Sequence, residues 1–80
     1  MVRRLPKNRV VGIKQTLKAL KNNEVSKLYV AKNAEKKVIA PVVNLANENS
    51  IEIEYIDTMR ELGKLCGIDV GAASVAMLKD

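Results

Sequence analysis

A chain of 80 residues has room for one domain and a small core, and its apolar share of 48% is that of a folded globular protein and excludes wholesale disorder. Its apolar residues are mostly Val, Ile, Leu and Ala, with no Phe, no Trp and two Tyr, which argues against a broad aromatic platform for stacked bases. The net charge of +5 favours an anionic partner, nucleic acid first, while the lack of His excludes Ser–His and Cys–His nucleophiles and histidine metal sites.

In chain order, Arg3, Arg4, Lys7 and Arg9 around Pro6 predict a basic N-terminal arm over residues 1–9. Residues 10–12 read as a short strand. From Ile13 to Asn22 the period is helical, with Ile13, Leu17 and Leu20 on one face and Lys14, Lys18 and Lys21 off it; Asn22-Asn23 ends it. Lys27 to Ala31 is a compact strand around Leu28-Tyr29-Val30-Ala31, and residues 32–37 are expected to be a charged loop. Pro41 suits a first helical position, and a helix to Asn49 turns Val42, Val43, Leu45 and Ala46 inward. Ile51, Ile53 and Tyr55 alternate with Glu52 and Glu54, the period of a half-buried strand. Thr58 and Glu61 have the spacing of a capping box, and the helix they open buries Met59, Leu62, Leu65 and Cys66 and stops at Gly67. A loop over 68–71 leads to a last strand, 72–78, whose small side chains suit a central position under helices. Strand and helix alternate throughout. The expected fold is therefore α/β, a three-layer α/β/α sandwich on a small, mixed, largely buried four-stranded sheet. One domain over 1–80 is expected.

Two segments could carry function. Val10-Val11-Gly12-Ile13-Lys14-Gln15-Thr16-Leu17-Lys18 reads as strand, glycine and first helical turn. The first N–H groups of a helix lack intrahelical partners, and Lys14 and Lys18 share one face with Gln15 beside them. Phosphates or guanine O6 and N7 would suit such donors; an ordinary solvated helix start would look the same. In Gly67-Ile68-Asp69-Val70-Gly71, two large apolar residues sit in a loop. They either plug the core or cover an exposed base. Cys66, on an inward stripe, reads as a small hydrophobe, and no carboxylate pair, Walker loop or metal cluster stands out, so no catalytic centre, cofactor or metal is expected. No apolar run nears the roughly 20 residues of a membrane span. Nor does Met1-Val2-Arg3-Arg4 lead into a signal sequence, and a lone cysteine fits a reducing compartment. A cytoplasmic monomer is expected.

Residues 10–20 and 58–78, through the matching stretches 11–20 and 61–76, together resemble the L7Ae/L30e ribosomal protein family of kink-turn RNA-binding proteins, most nearly its short bacterial YbxF/YlxQ-type branch. The resemblance runs over nearly the whole chain. It implies an α/β/α sandwich whose first helix docks on the tandem sheared G·A pairs of a kink-turn, while the apolar loop before the last strand covers a flipped-out nucleotide. The RNA-binding residues so implied are Gly12, Ile13, Lys14, Gln15, Lys18, Ile68, Asp69 and Val70. Lys14 and Gln15 stand where archaeal members have Asn and Glu. Gln15 keeps an acceptor without the charge, and Lys14 is a stronger but less directional donor than Asn. Asn23-Glu24-Val25-Ser26-Lys27 imitates the archaeal signature in the wrong place and reads as a turn into the second strand. The implied partner is structured RNA with a kink-turn, ribosomal RNA among the candidates. The alternative is a protein–protein interaction module on the same fold, as in the family's stress-response relatives, which tend to be acidic where this chain is basic.

Overall fold

The structure, a computed structural model, describes Leu5 and residues 8–79; Arg3, Arg4 and Lys7 lie outside the described residues. Its elements are β1 (Arg9–Val11), α1 (Ile13–Lys21), β2 (Val25–Ala31), α2 (Lys36–Glu48), β3 (Glu52–Ile56), α3 (Met59–Leu65) and β4 (Ser74–Leu78). The sheet order is β1-β4-β2-β3. β2 and β3 are parallel, and β4 runs antiparallel to both β1 and β2, so the sheet is mixed. The crossovers β1-α1-β2 and β2-α2-β3 move the same way across the sheet, and a right-handed connection puts both helices on one face. There α1 and α2 pack on each other, while α3 packs on β2 and β3. The expected α/β architecture with its small mixed sheet is the observed one.

β4 is central and buried on both faces. Ser74, Val75 and Ala76 are inaccessible and Met77 nearly so, as the small side chains between two helical layers require. Leu28 and Val30 of β2, Val42 and Ala46 of α2 and Leu62 of α3 complete the fully buried centre.

All three helices end in the same way. At each C-terminus two N–H groups turn back on the last carbonyls: Asn23 to Leu20 and Glu24 to Ala19, Ser50 to Asn47 and Ile51 to Ala46, Gly67 to Lys64 and Ile68 to Gly63. This Schellman arrangement needs a left-handed residue at the turn, and Asn23, Ser50 and Gly67 have φ of 56°, 55° and 71°. Glycine is at ease there, Asn tolerates it and Ser pays for its Cβ. Ser50→Gly is therefore expected to raise stability by about 0.5–1 kcal/mol, read as a higher denaturant midpoint at unchanged slope.

Several sequence expectations are corrected. α2 starts at Lys36, five residues before Pro41, which lies inside the helix. Ile39, Val42 and Ala46 form one buried stripe that pulls the preceding turn into the helix, and exposed Pro41 is tolerated on the solvent side. The expected loop over 32–37 thus shrinks to residues 32–35. Tyr55 does not face inward; it is 48% exposed, because β3 is an edge strand that α2 covers only in part. Met59 is likewise exposed, at the first turn of α3, while Leu62 and Cys66 carry the burial. Arg9, counted with the N-terminal arm, opens β1, and its guanidinium reaches the carbonyls of Leu5 and Cys66. The capping residue of α3 is as expected, with Glu61 N–H donating to Thr58 Oγ1 at 3.0 Å.

Candidate nucleic-acid interface

The start of α1 is shaped by Gly12. Its φ of 100° and ψ of 157° lie in a region that only glycine occupies without strain, and a Cβ there would meet nothing within 4 Å. The requirement is one of backbone conformation rather than of space. No side chain caps α1. The N–H groups of its first turn are thus available to an outside acceptor. Lys14, Gln15 and Lys18 are exposed around that end, and with Leu17, Lys21 and Asn22 they line a shallow cavity of about 580 Å³. Ile13 is half-buried and packs on the core, unlike its exposed neighbours Lys14 and Gln15.

The loop after α3 is fastened at both ends. Ile68 N–H donates to Gly63 O at 3.1 Å, and Ala72 N–H to Met59 O at 3.0 Å. Between them the Val70 carbonyl lies against α3 at a spot that only a glycine leaves open. A Cβ on Gly63 would sit 2.1 Å from Val70 O, and one on Gly71 would sit 3.1 Å from Met59 Cβ. The loop separates the two apolar residues that the sequence paired. Ile68 is half-buried and packed on the core, whereas Val70 is 69% exposed. Asp69 is exposed beside it, and a cavity of about 240 Å³ is lined by Arg60, Lys64, Ile68, Asp69, Val70 and Gly71. Arg60 was not singled out by the sequence; its spacing of four from Lys64 along α3 was the available signal.

Two bonds tie the start of α1 to Ser74, the first residue of β4 and three residues beyond Gly71 of the loop. Gly12 N–H donates to Ser74 O at 2.9 Å. Inside the same joint, the Ser74 hydroxyl donates to Thr16 Oγ1 at 3.1 Å, and both side chains are inaccessible to solvent. A paired buried hydroxyl is neutral to helpful, but an orphaned one costs about 1–3 kcal/mol. Ser74→Ala is expected to destabilise by about that amount, and adding Thr16→Val to recover most of it, the shape being kept and neither hydroxyl left alone. A double-mutant cycle of denaturant midpoints measures this.

Other charges lie off this surface or are inert. Lys27 bridges Glu54 at 3.0 Å and Glu52 at 3.4 Å and stands 5.1 Å from the centre of the Tyr29 ring. The bond to Glu54 is the main reason its ammonium titrates above the ordinary lysine range. Burial pushes the Cys66 thiol up, which keeps it protonated and unreactive. Among the described residues no group of His, Cys, Asp and Glu could hold a metal ion, and no helix is long and apolar enough to cross a membrane.

Residues 2–80 match the Ribosomal protein L7Ae/L30e/S12e/Gadd45 family. An RNA-binding protein of Caldanaerobacter subterraneus subsp. tengcongensis is 53% identical over 76 residues, 95% of this chain and 93% of that protein. The RNA-binding protein YbxF of Geobacillus stearothermophilus is 44% identical over 70 residues, 88% of this chain and 85% of that protein. The solved structure of the Giardia lamblia 15.5kD RNA binding protein superposes with a TM-score of 0.85 at 15% identity, over 92% of this chain and 62% of that one. A Bacillus halodurans protein of unknown function superposes with a TM-score of 0.82 at 15% identity, over 91% of this chain and 73% of that one. These two likenesses speak for the fold alone.

Proposed function

The chain belongs to the L7Ae/L30e/S12e/Gadd45 family of ribosomal proteins, and on that premise we propose that it binds RNA carrying a kink-turn, as a rigid body and without chemistry. Its relatives in Caldanaerobacter and Geobacillus bear the name of RNA-binding proteins, which supports the RNA part. The observation that carries the finer part is the bond from Gly12 N–H to Ser74 O. It ties the basic start of α1 to Ser74, three residues past Gly71 of the apolar loop, which supports the reading that one ligand meets both.

In this reading the widened groove at tandem sheared G·A pairs receives the first turn of α1. Lys14 donates to guanine O6 or N7, Gln15 offers an amide to a base edge, and Lys18 meets a phosphate. Val70 packs on an unstacked base, with Asp69 at its edge and Ile68 supporting the loop from the core side. Arg60 and Lys64 add phosphate contacts, whose number sets the salt dependence. The protein acts as a cytoplasmic monomer in this reading, with ribosomal RNA the first candidate among natural partners.

The test is a pair of titrations at one fixed salt, with a short kink-turn RNA and with the same RNA lacking its G·A pairs. Wild type should prefer the first. Val70→Ala should lower that affinity by about 1 kcal/mol, the worth of a lost apolar contact, at unchanged stability, since the side chain lies outside the core. Equal binding of both RNAs by the wild type would refute the kink-turn assignment.

A further inference from the structure

The molecule carries a third concave surface, remote from the two segments above. Between α2 and β3 runs a groove of about 340 Å³ with Ile39, Ala40 and Val43 for a floor, the Tyr55 ring along one wall, and Lys32 and Lys36 at one end. We propose that this groove is a second nucleic-acid contact, which takes one unpaired nucleotide of the bound RNA, its base on the Tyr55 ring and its phosphate on Lys36 and Lys32. The inference rests on the RNA-binding reading above and extends the bound surface to the opposite edge of the sheet.

Position is the first reason. Gly12 bonds to Ser74, Ser74 lies opposite Val30, and Val30 lies opposite Tyr55. One cross-strand row thus carries the α1 start at one edge and Tyr55 at the other, three strand spacings or roughly 14 Å away. Lys32 directly follows β2 and Lys36 opens α2, so the basic end of the groove lies at the same end of the sheet as the interface.

Charge is the second reason. The acidic residues of β3, Glu52 and Glu54, are on the other face of the strand and are held by Lys27. Lys32 is 3.3 Å from Asp57, an exposed pair that a phosphate can displace at little cost. Lys36 has no carboxylate partner among the described residues. The groove therefore presents positive charge beside apolar surface, which suits a nucleotide better than an acidic-and-apolar surface would. Chemistry is the third reason. Tyr55 is the one exposed aromatic ring of the described residues, Tyr29 being buried. A single ring serves a single base, and Asn44 on the groove wall can hydrogen-bond that base's edge.

The test uses the full chain and an adenylate hexamer as the single-stranded probe, with and without a saturating kink-turn RNA already bound, that RNA being cut to the bend and its flanking pairs so that it brings no unpaired nucleotide of its own to the groove. Backbone amide shifts and tyrosine emission are read. With no tryptophan in the chain, emission reports the two tyrosines alone. The hexamer should quench the emission and shift Tyr55, Lys36 and Ile39 even when the kink-turn RNA occupies α1. Tyr55→Ala should lower hexamer affinity about fivefold or more. Lys36→Gln should reduce the slope of log affinity against log salt by about 1. Neither should change the preference for kink-turn RNA over RNA lacking the G·A pairs, so loss of that preference in the wild type tells against the first reading and not this one. The proposal is overturned if the hexamer shifts only α1 residues, or if it leaves Tyr55 unmoved, in which case the groove is left to a protein segment.

Discussion

Gly63→Ala should release the loop that carries Val70 and cost both stability and RNA binding. The added methyl would lie 2.1 Å from the Val70 carbonyl oxygen, far inside contact distance, and both partners are backbone or rigidly attached to it. No rotamer relieves the clash. Either α3 moves off the sheet, where Leu62 is fully buried, or the loop lifts away and breaks the bonds from Ile68 to Gly63 and from Ala72 to Met59. Helix propensity favours alanine by about 1 kcal/mol, and overpacking costs about 1–3 kcal/mol or more. The net effect is expected to be destabilising, with the loop as the part that yields. Affinity for kink-turn RNA should then fall more than Val70→Ala alone explains. The measurement is a denaturant midpoint beside an RNA titration at a temperature where the variant is folded. A variant as stable as wild type with normal affinity would show that the loop does not depend on this close approach.

Lys14→Ala and Gln15→Ala should each shrink the preference for a kink-turn over a plain duplex, by about 1–3 kcal/mol if one base contact is lost. Both side chains are exposed at the start of α1, so their loss should leave folding within about 0.5 kcal/mol of wild type. Lys18→Ala should weaken binding to both RNAs if its partner is a phosphate. Arg4→Ala, in the basic segment ahead of β1, should weaken both equally and leave the ratio unchanged. Titrations of each variant against both RNAs at one salt concentration separate these outcomes. A ratio that moves with Arg4 but not with Lys14 or Gln15 would mean that recognition is by bulk charge.

Much of the fold was legible because local signals agreed with one another. Gly12 before a helical period, Asn22-Asn23 after it, Thr58 three residues ahead of Glu61 and Gly67 at a helix end each name a boundary by backbone chemistry. The errors arose where neighbours in space decide. Pro41 is a strong local stop, yet Ile39 belongs to the same buried stripe as Val42 and Ala46, and that burial outweighs it. Tyr55 and Met59 fit inward periods, but an edge strand and a first helical turn have too little above them to bury a large side chain.

By itself the sequence determined the alternation of elements, the basic start of α1 and the apolar loop, since these depend on periodicity, capping and composition within a few residues. Only the tertiary structure decided that residues 12 and 74 are bonded, that Ile68 is held by the core while Val70 is free, and that Tyr55 faces a groove rather than the interior. The reason is physical. Strand order and register place β4 between β1 and β2, and the space that remains around each side chain after packing is a property of all the elements at once.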